Sequence, residues 1–599
     1  MTFKHKIAIF IFKNQELIQK ILRFFTVISS LMVLGVLIYR YGYNHTQENL
    51  DMIILVTRFF YLVFIISFIV RLTLSKDKKH FLNNNAFEAI LLLLVIYDGI
   101  SYYLFGHPVL EKLLIKLNVK NYRSIYHFFI QFFLLVFVAL ELIKSINSIY
   151  TGKLRPTTLF ILSFVLLILG GGFLLTLPGF NRSGLPLNFI DAVFTSGSAS
   201  CVTGLTVVNT GTFYNTKGQI VILMLIQLGG IGILTFASFF ASFIKKGIGV
   251  RHNIAMNELL DAENISGSYF LIKRILVMTF VIEALGALGI YMLWGDYHFS
   301  SSGEKIYYSI YHSISAFCNA GFSPFEYNME TPLVAELYML HIFMGVIIFF
   351  GSLGFPVIRD LFSPLKLRER LSEPWREWKL SSKIAVYMSI ILILIGMVSF
   401  HVLHVRYLPE HKSSIAHFAI SFFQSVNLRT CGFSSISLEH LPNPLMLISI
   451  FLMFIGASSA STGGGIKTST FVVMMVAVIG TIRGKKDMNI GNRRIAIDLI
   501  YKAFAVVIFS GLFVLLVITI LTFTDPKMEI LRLAYEAVSA FATVGLSTGI
   551  TSNLSNASKV IITFTMFVGR VGIVTLAYSL STKSLQADYK HATTHMPIG

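Results

Sequence analysis

The sequence predicts an all-α polytopic membrane protein in which four tandem units of helix, pore helix, glycine strand and helix surround one pore, after an N-terminal group of transmembrane helices. Three observations carry this expectation. The first is composition: of 599 residues, 55% are hydrophobic and 14% aromatic but only 13% charged, with mean hydropathy +0.73, more apolar sequence than a soluble core needs. The second is a repeat. Short polar runs close on a glycine inside apolar sequence at SASCVTGLT (Gly204), SAFCNAGFS (Gly321), NLRTCGFSS (Gly432) and AFATVGLST (Gly545), with gaps of 117, 111 and 113 residues. A fourfold repeat in a membrane chain implies a pore. The third is charge placement: residues 359–383 hold seven basic residues and 483–502 hold six, whereas 323–335 and 434–445 hold none. That asymmetry puts the links between units in the cytoplasm and the segments flanking the glycine runs outside.

The elements follow in chain order. Residues 1–150 lie outside the repeat and carry apolar segments near 24–39, 52–70, 87–105 and 125–143, read as an accessory bundle of about four transmembrane helices. Basic residues Lys4, Lys6, Lys13, Lys20 and Arg23 precede the first, but no small-residue cleavage site follows before Arg40, so it reads as a retained helix rather than a signal peptide. Lys112, Lys116, Lys120 and Arg123 share one helical face. They leave a voltage-sensor reading open beside the packing role.

The units are then 151–250, 251–365, 366–485 and 486–582, with a cytoplasmic tail at 583–599. First crossings are expected near 157–178, 270–294, 382–404 and 498–523, and short segments near 187–201, 304–318, 414–427 and 530–541; the second crossing of the first unit is 218–243. About 20 apolar residues are needed to cross a bilayer as helix, so the short segments are re-entrant.

Non-helical backbone at membrane depth is tolerated only where protein or a watery cavity surrounds it. Four such strands around an axis present rings of carbonyls able to replace the hydration shell of a monovalent cation, with glycine admitting the positive φ this geometry asks for. The candidate filter residues are Val202, Thr203, Gly204 and Leu205; Asn319, Ala320, Gly321 and Phe322; Thr430, Cys431, Gly432 and Phe433; and Thr543, Val544, Gly545 and Leu546. A serine stands six residues before the glycine at Ser198, Ser315 and Ser539; in the third run it is Ser425, seven before Gly432, which reads as one extra residue. Arg429 there replaces Cys201, Cys318 and Ala542 and is expected to point behind the filter, since a guanidinium facing cations would oppose them. The three cysteines, Cys201, Cys318 and Cys431, read as small residues packed behind the glycine turns, with redox sensing the alternative.

Two further features stand out. The run GASSASTGGGIKTST (456–470) interrupts the second crossing of unit three, and Gly463, Gly464 and Gly465 cannot sustain a stiff helix. Ile466 separates Gly465 from Lys467, so GxxxxGK[ST] is not matched and no phosphate loop is read. Arg570, within ITFTMFVGRVGIVTLAYSL, is an intramembrane charge and a functional candidate by that fact. Glu283, Glu536 and Asp191, in or beside apolar segments, read as capping or backbone-bonding groups. No HExxH or other ligand spacing appears, so neither an enzyme nor a resident metal or cofactor is expected. No soluble basic surface suggests nucleic acid either.

The runs VTGLTV, CNAGFS, RTCGFS and ATVGLSTG, with IQLGGIGILTF and FVGRVGIVTLAYSL, resemble the Trk/Ktr/HKT superfamily of cation transporters, and most closely its bacterial TrkH/KtrB-like membrane subunits. The similarity covers about 155–582 and leaves the first 150 residues unexplained. It implies uptake of K+, as the transported ion, across the cytoplasmic (inner) membrane. It also implies a movable gate at Gly463, Gly464, Gly465 and Lys467, and a barrier at Arg570. Glycine rather than serine at Gly204 implies potassium preference; mixed sodium and potassium transport and a non-conducting membrane sensor are the alternatives. The expected partners are a second copy of the chain, a cytoplasmic nucleotide-binding RCK-type regulatory subunit and the lipid bilayer.

Overall fold

A computed structural model describes residues 14–75, 77–105, 131, 134, 138, 156–232, 268–295, 297–373, 375, 377–403, 413–485 and 487–580. The cluster at 112–123, most of the segment at 125–143, the residues 233–243 and the tail lie outside the described residues. Among the described residues the regular elements are helices apart from one two-residue β-hairpin, Asn489–Ile490 with Arg493–Arg494.

Three N-terminal helices run Gln15–Gly42 (α1), Gln47–Thr73 (α2) and, after the short α3 (Lys78–Asn84), Ala86–Phe105 (α4). They have a core of their own around Phe64, Val33 and Leu92. Arg71 and Glu88 form a buried ion pair at 2.9 Å between α2 and α4. The group meets the rest where α1 ends: Gly179 lies so close to Tyr41 and Gly42 that a Cβ would come within 2.3 Å of the Tyr41 carbonyl.

The remainder divides into four quarters. Each starts with a long apolar helix: Pro156–Thr176 (α5), Ser268–Leu293 (α9), Leu380–Leu403 (α14) and Ile497–Thr524 (α18). A short one follows: Phe189–Ser200 (α6), Ser302–Phe317 (α10), Ser414–Asn427 (α15) and Ile530–Phe541 (α19). The short helices start at side-chain caps where the sequence supplies them, from Asn188, Ser301 and Ser413 to backbone N–H groups two or three residues on. Between α6 and the next long helix lie α7 (Thr210–Phe213) and α8 (Thr216–Ile231). Helix α11 (Tyr338–Leu353) closes the second quarter and leads to α12 (Phe355–Phe362) and α13 (Pro364–Ser372). The third closes with α16 (Asn443–Phe454) and α17 (Thr468–Ile482), the fourth with α20 (Asn556–Val571) and α21 (Ile573–Leu580).

Among the described residues, five helices are long and apolar enough to span a bilayer: Phe24–Gly42, Gln47–Thr73, Lys273–Leu293, Leu380–Leu403 and Ile497–Thr524. Their apolar side chains face outward, for example Leu285, Leu394 and Leu515, where lipid rather than water is the compatible solvent. Three closing helices stop at a glycine, and the crossing expected at 218–243 is described only as far as Gly232. Helix α8 stops at Gly232 (φ +88), α11 turns by 107° into α12 at Gly354 (φ +86), and α20 gives way to α21 at Gly572 (φ +88). Three residues before each break stands another glycine. A Cβ on Gly229, Gly351 or Gly569 would lie 1.9, 2.1 or 1.8 Å from the carbonyl oxygen of Ser200, Phe317 or Phe541, the last residues of α6, α10 and α19. The pair of glycines thus lets each closing helix touch the end of its own short helix and then turn away.

The quarters close into a ring. Helix α8 packs on α10, α11 on α15, α16 on α19, and α20 on α6. The last seam is locked by Lys559 on α20 and Asp191 on α6, paired at 2.8 Å although 368 positions apart.

Candidate functional site

The short helices end where the glycine runs begin, and the ends are built alike. In the first quarter the Cys201, Val202 and Thr203 N–H groups return to Gly197, Ala199 and Ser198 carbonyls at 2.8, 3.1 and 2.7 Å; the second and fourth quarters repeat this at Cys318–Ala320 and Ala542–Val544. Two residues before each glycine the backbone is left-handed at a non-glycine residue: Val202 (+58°), Asn319 (+62°), Thr430 (+96°) and Thr543 (+50°). Such conformations cost about 1–3 kcal/mol each and persist only where the surroundings hold them. The serines do part of that. Ser198 and Ser539 accept from the Gly204 and Gly545 N–H groups at 3.0 and 3.1 Å, and Ser315 donates to the Phe322 carbonyl at 2.8 Å.

The third quarter differs, and its register is not the one expected. Ser425 donates to the Ile393 carbonyl of the long helix at 2.6 Å, as Ser196 does to Ile168 (2.8 Å) and Ser313 to Glu283 (2.6 Å). Each serine fits against a glycine one turn on, Gly396, Gly171 or Gly286. Ser425 is therefore the counterpart of Ser196 and Ser313, eight residues before their glycines, and not of Ser198. The third run is one residue shorter, not longer, and no serine caps Gly432.

The four glycine runs meet. A Cβ on Gly204 would lie 2.4 Å from the Ala320 oxygen, on Gly321 2.3 Å from Gly432 Cα, on Gly432 3.0 Å from the Gly545 carbonyl carbon, and on Gly545 1.9 Å from the Thr203 oxygen. Each run touches the next and the fourth touches the first. Gly204, Gly321 and Gly545 have φ of +103°, +71° and +89°. Four helix C-termini, which carry partial negative charge, converge on this ring. Leu205, Phe322, Phe433, Val544 and Leu546 are buried in the walls around it, with Cys201, Cys318 and Cys431 buried as free thiols. On one face, the Asn328 side-chain amide lies 3.2 and 3.4 Å from the Gly321 and Gly432 carbonyl oxygens.

On the other face lies the break in the third closing helix, where residues 455–467 leave helical geometry. Gly463 packs on Thr430, and Gly464 on Thr543, whose hydroxyl accepts the Gly464 N–H at 2.9 Å. The loop is tied to the second quarter as well. Ser458 donates to the Ser352 and Leu353 carbonyls at 2.9 and 2.6 Å, and Thr462 to Gly351 at 3.1 Å. Lys467 turns back to the Gly463 carbonyl at 2.7 Å. Arg429 does point away from the ring: buried, it donates to the Gly456 carbonyl at 3.2 Å. Arg570 bonds to the Thr462 carbonyl and to those of Gly229 and Gly230 at the end of α8, so one guanidinium joins the loop to the first and fourth quarters.

The acids Glu536, Glu283 and Asp191 bond to side chains of their own surroundings rather than to the glycine carbonyls. Glu536 accepts from Ser547 and Thr551, Glu283 from Gln227 at 2.9 and 3.0 Å, and Asp191 pairs with Lys559. Sequence reasoning missed the left-handed ring and the GxxG breaks. The motif GGIG, GSLG, GRVG at 229–232, 351–354 and 569–572 was the available signal for the breaks.

Half-length helices aimed at a closed ring of glycine strands, inside a shell of apolar helices, define an integral membrane protein built around one pseudo-fourfold centre. The chain belongs to the TrkH family, described as cation transport proteins, whose family model matches residues 121–591. It is 35% identical over 455 residues to the potassium/sodium uptake protein NtpJ of Enterococcus hirae, covering 75% of this chain and 98% of that one. Against the Ktr system potassium uptake protein B of Bacillus subtilis it is 35% identical over 448 residues, covering 73% and 96%. The fold is like that of the crystal structure of the potassium transporter TrkH from Vibrio parahaemolyticus, with TM-score 0.59 and 17% identity over 82% of this chain and 97% of that one.

Proposed function

We propose that this chain takes up potassium across the cytoplasmic membrane through a single-chain pore, with the ring at Gly204, Gly321, Gly432 and Gly545 as a selectivity filter of backbone carbonyls. The ring's closure carries the reading, because strands that touch in a cycle can surround one ion with carbonyls from every quarter. In it, residues 202–205, 319–322, 430–433 and 543–546 line the path, and loop 455–467 with Gly463, Gly464, Gly465 and Lys467 is the gate. Arg570 adds a positive charge beneath the ring that raises the barrier to a cation. The basic links at 359–383 and 483–502 support reading that side as cytoplasmic, with those links as the surface for an RCK-type regulatory subunit. A second copy of the chain completes the assembly we propose.

A second reading, mixed potassium and sodium uptake, is favoured by the name of the Enterococcus hirae relative. Growth of a potassium-uptake-deficient bacterium at low external potassium tests the first. The intact chain restores growth, and Gly204→Ser, whose Cβ would lie 2.4 Å from the Ala320 oxygen at φ +103°, lowers potassium uptake and shifts what remains toward sodium. No rescue by intact chain demonstrably in the membrane contradicts it.

A further inference from the structure

One register position on the short helices faces one position on the glycine strands in three of the four quarters. The residues just before Ser196, Ser313, Ser425 and Ala537 are Thr195, His312, Gln424 and Glu536, all buried. His312 Nε2 is 3.0 Å from Ser323 Oγ, Gln424 Nε2 is 3.2 Å from Ser434 Oγ, and Glu536 accepts from Ser547 Oγ. Each of these serines stands two residues after its glycine, at 321, 432 and 545.

The chemistry of each tie differs. His312 Nδ1 lies 2.7 Å from the Tyr308 carbonyl, which can only accept, so Nδ1 carries the proton and Nε2 accepts from Ser323. Glu536 also accepts from Thr551 at 3.1 Å, and Gln424 donates a second bond toward Ser435 at 3.4 Å. In the first quarter Thr195 donates instead to the Asp191 carbonyl of its own helix at 2.9 Å. Among the described residues that quarter has no corresponding tie from Thr195 to the strand beyond Gly204.

We propose that His312, Gln424 and Glu536 are positioning residues that hold the strand beyond each glycine and so set which cation the ring accepts. This rests on the reading of the glycine runs as a filter. A carbonyl ring discriminates between ions by its size and by the field of its dipoles, and both move with the strand that carries the carbonyls. A short bond from a helix to the second residue past the glycine fixes that strand in a low-dielectric setting, where a hydrogen bond is electrostatically stronger. The first quarter, without such a tie, is the compliant one.

The test compares potassium and sodium uptake by the full chain in cells lacking their own potassium uptake, per amount of chain in the membrane. Glu536→Ala and His312→Ala are set against Glu536→Gln and His312→Gln, which keep an acceptor. The alanine variants lose potassium-over-sodium discrimination by roughly tenfold, about 1.4 kcal/mol of differential ion binding, and the glutamine variants recover most of it. Ser547→Ala and Ser323→Ala remove only a hydroxyl from the other end of each tie and shift discrimination the same way, which covers the case of an alanine variant that does not fold. Unchanged discrimination in the serine variants overturns the proposal while leaving the filter reading intact. An intact chain that carries neither ion overturns both.

Discussion

The third quarter and the other three solve the same problem by different means. Gly204, Gly321 and Gly545 have positive φ and lean on a serine of the short helix, and their closing helices break at a single glycine. Gly432 lies outside the positive-φ glycines and has no serine cap; its helix junction is one residue shorter, and its closing helix breaks over residues 455–467 rather than at one residue. What it has instead is contact with that loop, through Thr430 on Gly463 and Arg429 on the Gly456 carbonyl. Three quarters end their closing helix at one glycine, and the third carries a loop that is held by side-chain hydrogen bonds and also touches the second and fourth quarters through Thr462 and Thr543. Each such bond is worth about 1 kcal/mol net, so the loop can be released piecemeal where a helix could not.

The strongest way to break this comparison is to add a methyl group to the ring. Gly545→Ala puts a Cβ 1.9 Å from the Thr203 oxygen at φ +89°, and potassium uptake falls to background. Gly432→Ala meets nothing nearer than 3.0 Å and keeps measurable uptake in the same assay. Equal loss in both would remove the distinction between the quarters.

Arg570→Ala comes next. Losing the bonds to Thr462, Gly229 and Gly230 both lowers the charge barrier and frees the loop, so uptake rate rises by about tenfold if near 1.4 kcal/mol leaves the barrier. Unchanged uptake with normal amounts of chain in the membrane would remove the barrier role.

The smallest effect is at the seam between the second and third quarters, outside the ring. Burial, then the neighbouring Glu439 charge, push the Glu330 carboxyl up to about 7, against a hydrogen bond with Ser434. As pH falls from 8 to 6, Glu330 takes up a proton and the seam loses a negative charge, so apparent potassium affinity falls by about threefold, the scale of a partly exposed charge interaction. Glu330→Gln makes the affinity low and flat over that range, and a persisting slope in that variant would assign the dependence elsewhere.

Much of this was legible in the sequence because it depends on local signals. Segment length and hydropathy separate α6, α10, α15 and α19 from the long helices, and the expected spans near 187–201, 304–318, 414–427 and 530–541 match them to within a few residues. The glycines, Arg570 and the break at 456–470 are also visible there. What was not legible depends on closure. Whether Ser425 pairs with Ile393 or caps Gly432 is decided by how α14 packs on α15, and the Asp191–Lys559 pair spans 368 positions. The left-handed residues are a valine, an asparagine and two threonines, Val202, Asn319, Thr430 and Thr543, so no single side-chain type marks them and the ring identifies them.

The central claim is that the four runs form one path for potassium within a single chain. Purified intact chain in liposomes, loaded with potassium and diluted into potassium-free buffer with tracer rubidium, tests it most directly. The intact chain is expected to accumulate tracer down the potassium-set potential, and Gly545→Ala to accumulate none above protein-free vesicles. Accumulation by Gly545→Ala equal to that of the intact chain would contradict it.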